Sequence, residues 1–326
     1  MAEKDGQLNN NHDLIQTMEL PMVDVSILTQ DSNEKSIVIK QIQEACQTWG
    51  AFQVINHGVS EAVIQAAMEV NRNFFDLPEM MKKEILELGS RDMFSPVKLL
   101  TFQRSARGSD LLQRDLVRLY ANPFEDFIDF WPTEPADYRE KMGRYTKDVR
   151  KLGITLFGAI MESLNLGPTH LQENFDKGMH MVIANSYSPP TPESSIKLGA
   201  APHSDHGIII ILRQSSPGLE VLDMADGKWK ALPCSEGSLQ VLVGDHLELL
   251  SNGIYKSVFH RATLSTRTTR MSLASFHNFE LDEMVEPATE LTGEDCPKRY
   301  EGCSTRDLIK HIFSGEVGRL IDRLKI

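Results

Sequence analysis

His203-Ser204-Asp205-His206-Gly207-Ile208-Ile209-Ile210-Ile211-Leu212 sets a His-x-Asp motif directly before an unbroken apolar run. That run, Gly207–Leu212, is one of a series. After Gly178 the short apolar runs Met179–Tyr187, Leu219–Leu222, Ser238–Val243, Lys256–Arg261 and Met271–Phe279 are separated by turns such as Ser216-Pro217-Gly218, Asp226-Gly227 and Asn252-Gly253. Many short strands at this spacing predict a sandwich or barrel. The motif in front of the run carries chemistry. In an extended strand residues i and i+2 point to one face, so His203 and Asp205 can reach one ion together. His260, in Ser257-Val258-Phe259-His260-Arg261, is the best third ligand. Two imidazoles and one carboxylate on one face leave the opposite coordination positions free, the donor set of an open non-haem iron(II) site. Arg270-Met271-Ser272 follows, a cation and a hydroxyl again at i and i+2, able to hold a dicarboxylate beside the metal.

The rest of the chain bounds what such a site can serve. At 326 residues the protein can build a substantial core. A net charge of −12 argues against general nucleic-acid binding, which clustered Lys and Arg drive. No apolar run approaches the roughly 18–20 residues of a membrane span. The polar stretch Met1–Asp13 lacks the basic-then-apolar order of a secretion signal. Cys46, Cys234, Cys296 and Cys303 are scattered without a CxxC pair, which reads as free thiols in a reducing cytosol.

Before Gly178 the texture is mostly helical. Residues 1–19 read as a flexible tail and Leu20–Val25 as a short strand. Ile39, Ile42, Cys46 and Trp49 recur at helical spacing across Ser36–Trp49. Phe52–Ile55 is a strand, Asn56–Val59 a turn, and Ser60 an N-cap for a helix running toward Phe75. Glu79–Leu88 looks helical. Residues 89–135 read as irregular, the pattern of a functional loop or lid and a source of substrate contacts. The longest helix, Pro135–Leu166, buries Met142, Tyr145, Val149, Leu152, Leu156, Ala159 and Leu164. Ser304–Ile326 returns to helix. The layout is 1–19 tail, 20–178 helical region, 179–285 jelly-roll core and 286–326 C-terminal helical segment.

A lone His-x-Asp is weak, and by itself a surface turn explains it. The order Tyr187, His203, Asp205, His260, Arg270, Ser272 is far more specific. A zinc hydrolase would accept the same three ligands but leave Arg270-x-Ser272 without purpose. A catalytically silent small-molecule binder would have no reason to keep the whole set. In these residues and their order the chain resembles the plant soluble iron(II)/2-oxoglutarate-dependent dioxygenases along nearly its whole length. The resemblance rests on Leu20–Asp24, Trp49–Val59, Phe74–Pro78, Leu198-Gly199, His203–Gly207, Gly218–Val221, Gly227–Trp229, Gly244–Glu248, Ser251–Gly253, His260-Arg261 and Arg270–Ser272.

The resemblance implies a mixed α and β fold whose core is a double-stranded β-helix, or jelly roll, with a helical N-terminal half packed on it. It implies that His203, Asp205 and His260 bind iron(II). It implies that Arg270 and Ser272, assisted by Tyr187, bind the distal carboxylate of 2-oxoglutarate. Dioxygen is the other cosubstrate, and ascorbate is expected to support activity. The expected reaction is hydroxylation of a small, largely apolar plant metabolite, with release of succinate and carbon dioxide. Oxidative O-demethylation and desaturation use the same site. The expected partner is this small molecule alone, with a monomeric protein in the cytoplasm. Substrate-wall candidates are Met93, Phe94, Phe102 and Leu119 from the irregular stretch, and Phe276, two strand steps from Ser272. His206 follows Asp205 immediately and in a strand would face away from the ion. His57, His246 and His277 read as structural. Asn185-Ser186-Tyr187-Ser188, Ile209–Ser215 and Arg114–Arg118 depart from the family pattern. These departures weaken any transfer of substrate identity from well-known members.

Overall fold

The computed structural model describes residues 15–30, 33–82, 93–102, 113–190, 198–265, 267–314 and 318–326. In chain order the strands are β1 (Met22–Asp24), β2 (Ala51–Ile55), β3 (Val97–Phe102), β4 (Arg114–Asn122), β5 (His180–Tyr187), β6 (Leu198–His203) and β7 (Ile209–Gln214). They continue with β8 (Leu219–Asp223), β9 (Lys228–Ala231), β10 (Leu239–Val243), β11 (His260–Thr263), β12 (Arg270–His277) and the small pair β13 (Met284–Val285) and β14 (Cys303–Ser304). An eight-stranded sheet, ordered β1-β2-β10-β7-β12-β5-β4-β3, faces a four-stranded sheet ordered β6-β11-β8-β9. Met181, Ile210, Leu212 and Phe276 from the large sheet pack with Ala200, Leu219, Val221 and Ala262 from the small one. This is the jelly-roll core.

β12 shows how sequence alternation builds two cores. Arg270, Ser272, Ala274 and Phe276 line the cavity between the sheets. Met271 and Leu273 point the other way and join the core under the helices. β7 repeats the pattern, with Ile210 and Leu212 inward and Ile209 and Ile211 outward. A strand covered on both faces needs an all-apolar run, which is what Ile208–Leu212 supplies.

Helices α1 (Asn33–Thr48), α2 (Glu61–Phe75) and α3 (Tyr138–Ser163) cover the outer face of the large sheet. Ser60 caps α2, its hydroxyl accepting from the Val63 amide at 3.3 Å. The predicted stripe of α3, from Met142 to Leu164, is buried throughout. Two shorter helices matter for the site: α4 (Asp245–Leu250) and α5 (Thr305–Ser314). Among the described residues no helix is long and apolar enough to cross a membrane.

Several expectations change. The strands expected at Leu20–Val25 and Phe52–Ile55 are present as β1 and β2 on one side of the large sheet, but β3 and β4 extend its other side where no strand was expected. The stretch 89–135, expected to be irregular, therefore holds a long antiparallel pair, with Val97 opposite Leu119 and Phe102 opposite Arg114. Its alternation is hidden in the sequence because Lys98, Arg114 and Arg118 occupy inward positions where apolar residues would mark the period. The tail also ends earlier than residue 19. Met18 is buried, and Gln16 to Met18 pair with Ala231 on β9; residues 1–14 lie outside the described residues. The predicted strand Lys256–Arg261 starts only at His260, because Lys256–Val258 bond instead to Cys46 and Val243. Of the helix expected over Glu79–Leu88, residues 79–82 are helical and 83–88 lie outside the described residues.

Candidate metal centre and cosubstrate pocket

His203 is the last residue of β6 and His260 the first of β11, and the two are partners across that antiparallel pair. Their rings lie 4.3 Å apart. Asp205 sits just beyond β6 in the connecting loop, so strand alternation positions His203 while the loop positions Asp205. One ligand atom from each of His203, Asp205 and His260 lies within 4.8 Å of the others. His203 Nε2 is 3.5 Å from Asp205 Oδ1, and His260 Nε2 is 3.7 Å from Asp205 Oδ2.

The backbone settles which ring nitrogens face inward. His203 Nδ1 lies 2.7 Å from the Ala201 carbonyl, and His260 Nδ1 lies 3.0 Å from the Val258 carbonyl. A carbonyl only accepts, so each Nδ1 carries the proton and each Nε2 presents its lone pair to the cluster. Burial works to raise the Asp205 carboxyl, but the imidazoles of His260, His203 and His206 outweigh it and leave it at about 2. Burial and His203 push His260 down to about 4. At neutral pH the set thus offers a carboxylate and a neutral His260, the protonation that a cation requires.

The loop that carries Asp205 is pinned from below. Ser204 donates its hydroxyl to Asp245 Oδ2 at 3.0 Å, and the Asp245 amide donates to the Asp205 carbonyl at 2.9 Å. Burial pushes the Asp245 carboxyl up to about 7. Gly244 lets α4 come this close, since a Cβ there would lie 2.3 Å from the Gly207 carbonyl oxygen.

Arg270 is 1% exposed and opens β12 in the same cavity. Its Nη2 donates to Gln214 Oε1 at 2.6 Å and its Nε to the Ser216 carbonyl at 3.2 Å. Its guanidinium lies 4.8 Å from the Tyr187 ring centroid, and Tyr187 is its register partner on β5. Its Nη1 is buried with no hydrogen-bond partner. Two residues along, Ser272 accepts from Asn185 Nδ2 at 3.2 Å, which leaves its hydroxyl proton to donate. An open guanidinium nitrogen and a hydroxyl, both buried, suit one carboxylate of a dianion. The residues therefore fit both groups that the sequence implies: a divalent cation in the His–Asp–His cluster and a dicarboxylate reaching it from Arg270. Gln214 and Asn185, which orient Arg270 and Ser272, were not among the expected site residues. Their inward position on β7 and β5 is the signal that would have found them.

The cavity lined by His203, Asp205, His260, Tyr187, Asn185, Arg270 and Ser272 has a volume of about 400 Å³. Phe276 lines it, as does His206, and their rings lie 5.1 Å apart. The alternation rule misplaces His206 because β6 ends at His203. His206 turns inward, with Nδ1 3.3 Å from Asn278 Oδ1. The other wall candidates fall elsewhere. Leu119 points outward into the core under the helices. Met93 and Phe94 pack at the edge of the inner core, and Phe94 lies under Arg306 at 4.5 Å. Phe102 ends β3, and its side chain lies outside the described residues. In their place the wall is formed by Lys98, Leu100, Arg114, Leu116 and Arg118 of β3 and β4, with Ile309 and Ile312 of α5.

Comparison with known proteins agrees with this geometry. Residues 179–279 match the 2OG-Fe(II) oxygenase superfamily, and residues 20–134 match the family described as non-haem dioxygenase in morphine synthesis N-terminal. The rice (Oryza sativa subsp. japonica) protein 2-oxoglutarate-dependent dioxygenase 21, chloroplastic, is 41% identical over 89% of this chain and 85% of its own length. Rice Flavanone 3-dioxygenase 3 is 38% identical over 90% of this chain and 88% of its own. The crystal structure of JOX2 in complex with 2OG, Fe and JA superposes with a TM-score of 0.82 at 27% identity, covering 97% of this chain and 91% of that one. The chain therefore belongs to the 2OG-Fe(II) oxygenase superfamily and is a dioxygenase that works with iron(II) and 2-oxoglutarate.

Proposed function

We propose that the protein hydroxylates a C–H bond of a small, largely apolar plant metabolite. In this reading His203, Asp205 and His260 hold the iron through Nε2, a carboxylate oxygen and Nε2. Arg270 and Ser272 hold the far carboxylate of 2-oxoglutarate, with the Tyr187 ring supporting the guanidinium. When bound, the iron supplies the dioxygen chemistry that couples decarboxylation of 2-oxoglutarate to substrate oxidation. The chain supplies the rest. Ala201 and Val258 orient the imidazoles, Gln214 fixes the Arg270 fork, and the two sheets enclose the reacting groups away from water. The observation that carries this reading is the open Nη1 of the buried Arg270 in the same cavity as the His–Asp–His cluster.

With iron(II), ascorbate and a panel of plant metabolites, 2-oxoglutarate should be converted to succinate. His203→Ala and Asp205→Ala should abolish conversion. Arg270→Ala should raise the 2-oxoglutarate requirement about a hundredfold, as expected for a lost charge-assisted pair, while leaving metal binding intact. Turnover that survives in the first two variants, or an unchanged requirement in the third, would refute the assignment. Product masses read the outcome: one added oxygen marks hydroxylation, while formaldehyde release marks O-demethylation and loss of two hydrogens marks desaturation. A cytosolic monomer belongs to the same proposal. The free cysteines support a reducing compartment, and organelle fractionation beside size-exclusion chromatography tests both points.

A further inference from the structure

At the Phe276 end of the cavity, away from Arg270, a histidine is set among apolar side chains. Phe276 lies six positions along β12 from Arg270, about 20 Å at the usual rise of a strand. It pairs with Met181 on β5 and with Ile210 on β7, and all three line the cavity. His206 joins them, 6% exposed, its ring 5.1 Å from that of Phe276 and tilted 36° to it. In the function proposed above neither the metal nor 2-oxoglutarate uses this imidazole.

Its tautomer is set from outside the cavity lining. Asn278 is fully buried and donates its Nδ2 to the Met179 carbonyl at 3.5 Å, which turns its Oδ1 toward His206. Gly207 admits the amide, since a Cβ there would lie 2.9 Å from Asn278 Oδ1. That oxygen only accepts, so His206 Nδ1, 3.3 Å away, carries the proton and Nε2 carries a lone pair. A divalent cation on the neighbouring Asp205 disfavours a second proton on the ring. Among the described residues Nε2 meets no hydrogen-bond partner.

The other polar side chains of the wall have the opposite sense. Outside the metal and cosubstrate sets, Lys98, Arg114 and Arg118 are donors only. Among the described lining residues outside those sets, His206 is therefore the one side chain that offers a nitrogen or oxygen lone pair. An acceptor placed in an apolar wall gains when a ligand donates to it and loses when an apolar ligand covers it.

We infer that His206 is a specificity-determining residue: its Nε2 accepts a hydrogen bond from a hydroxyl or N–H of the primary substrate and sets the substrate's apolar body against Phe276, Met181 and Ile210. The inference rests on the oxygenase reading, which supplies the place of the metal and the cosubstrate. Protein loaded with manganese(II) and 2-oxoglutarate under anaerobic conditions is titrated by calorimetry with two pairs of probes: 2-naphthol and 2-methoxynaphthalene, and indole and 1-methylindole. Methylation removes the donor and keeps the ring, and the ether also keeps the oxygen that a Lys or Arg could reach. In at least one pair the donor is expected to bind at least about tenfold tighter than its methylated partner. The pair that shows it tells an O–H ligand from an N–H ligand. His206→Leu and His206→Phe should each erase the preference while manganese and 2-oxoglutarate affinities hold. Equal binding within both pairs would overturn the inference. So would a preference that survives in the two variants, because the bulk of the added methyl group would then be its cause. Failure of the oxygenase reading shows elsewhere, as absent succinate formation and as a 2-oxoglutarate affinity unchanged in Arg270→Ala.

Discussion

Gly218 and Arg270 are in such close approach that a Cβ on Gly218 would lie 2.6 Å from Arg270 Cδ and 2.7 Å from Arg270 Nε. The buried guanidinium reaches its place only because position 218 carries no side chain. Gly218→Ala should therefore displace Arg270 from Gln214 and Ser216 and raise KM for 2-oxoglutarate by about tenfold. Metal affinity should hold, because His203, Asp205 and His260 lie on other strands or loops. Steady-state kinetics beside manganese titration checks this, and an unchanged KM would mean that Arg270 does not anchor the cosubstrate.

Metal binding should stabilise the fold through the three clustered ligands. A divalent ion at about a hundred times its dissociation constant adds about 2.7 kcal/mol if the unfolded chain does not bind it. Manganese(II) should therefore raise Tm by a few degrees, and a chelator should reverse the rise. Asp205→Ala should melt at the same temperature with and without the ion. A full rise in that variant would place the metal elsewhere.

Glu248 should make stability depend on acid pH. It is 1% exposed, accepts from the Ser257 amide and hydroxyl at 2.9 Å each and from Tyr300 Oη at 2.9 Å, and lies 3.4 Å from Arg319. Burial works to raise its carboxyl, but the Ser257 amide, Arg319 and Lys256 outweigh it and hold the folded value below the ordinary one. A lowered folded value means a contribution that is full above the unfolded value and lost as pH falls through the folded one. Glu248→Gln should therefore be less stable at neutral pH by about 1–3 kcal/mol. The gap should close as pH drops below about 4.3. Urea denaturation across pH reads it, and a gap independent of pH would rule out ionised Glu248 as its source.

Gly153→Ala in α3 should destabilise, against the usual preference of a helix interior for alanine by about 1 kcal/mol. A Cβ at 153 would meet the His277 ring at 2.5 Å. That ring cannot give way: it is fully buried, stacked on His180 at 4.6 Å, and 3.4 Å from Arg150 Nη1. A net loss of about 1–3 kcal/mol is expected from overpacking. A melting temperature equal to or above wild type would show that His277 has room to move.

Much of the protein is readable in its residues. The apolar runs after Gly178, the buried stripe of the long helix and the Ser60 cap each depend on neighbours within a turn or two, where period and capping act directly. His203-x-Asp205, His260 and Arg270-x-Ser272 are legible for a related reason, because their residue types have few other uses in that order. Local period fails where a strand ends or where charge replaces an apolar residue. Alternation puts His206 on the wrong face because β6 stops at His203, and it hides β3 and β4 because Lys98, Arg114 and Arg118 break their period.

What the sequence alone determined is the jelly roll and the chemistry of its donors, since hydrophobic period and ligand type are local properties. Only the tertiary structure decided which side chains share the cavity. It set His203 opposite His260 and folded the β3–β4 pair over the pocket in place of the expected loop. It also buried the open nitrogen of Arg270 where a carboxylate would meet it. Those placements come from strand register and sheet order between residues far apart in the chain, and no local pattern encodes them.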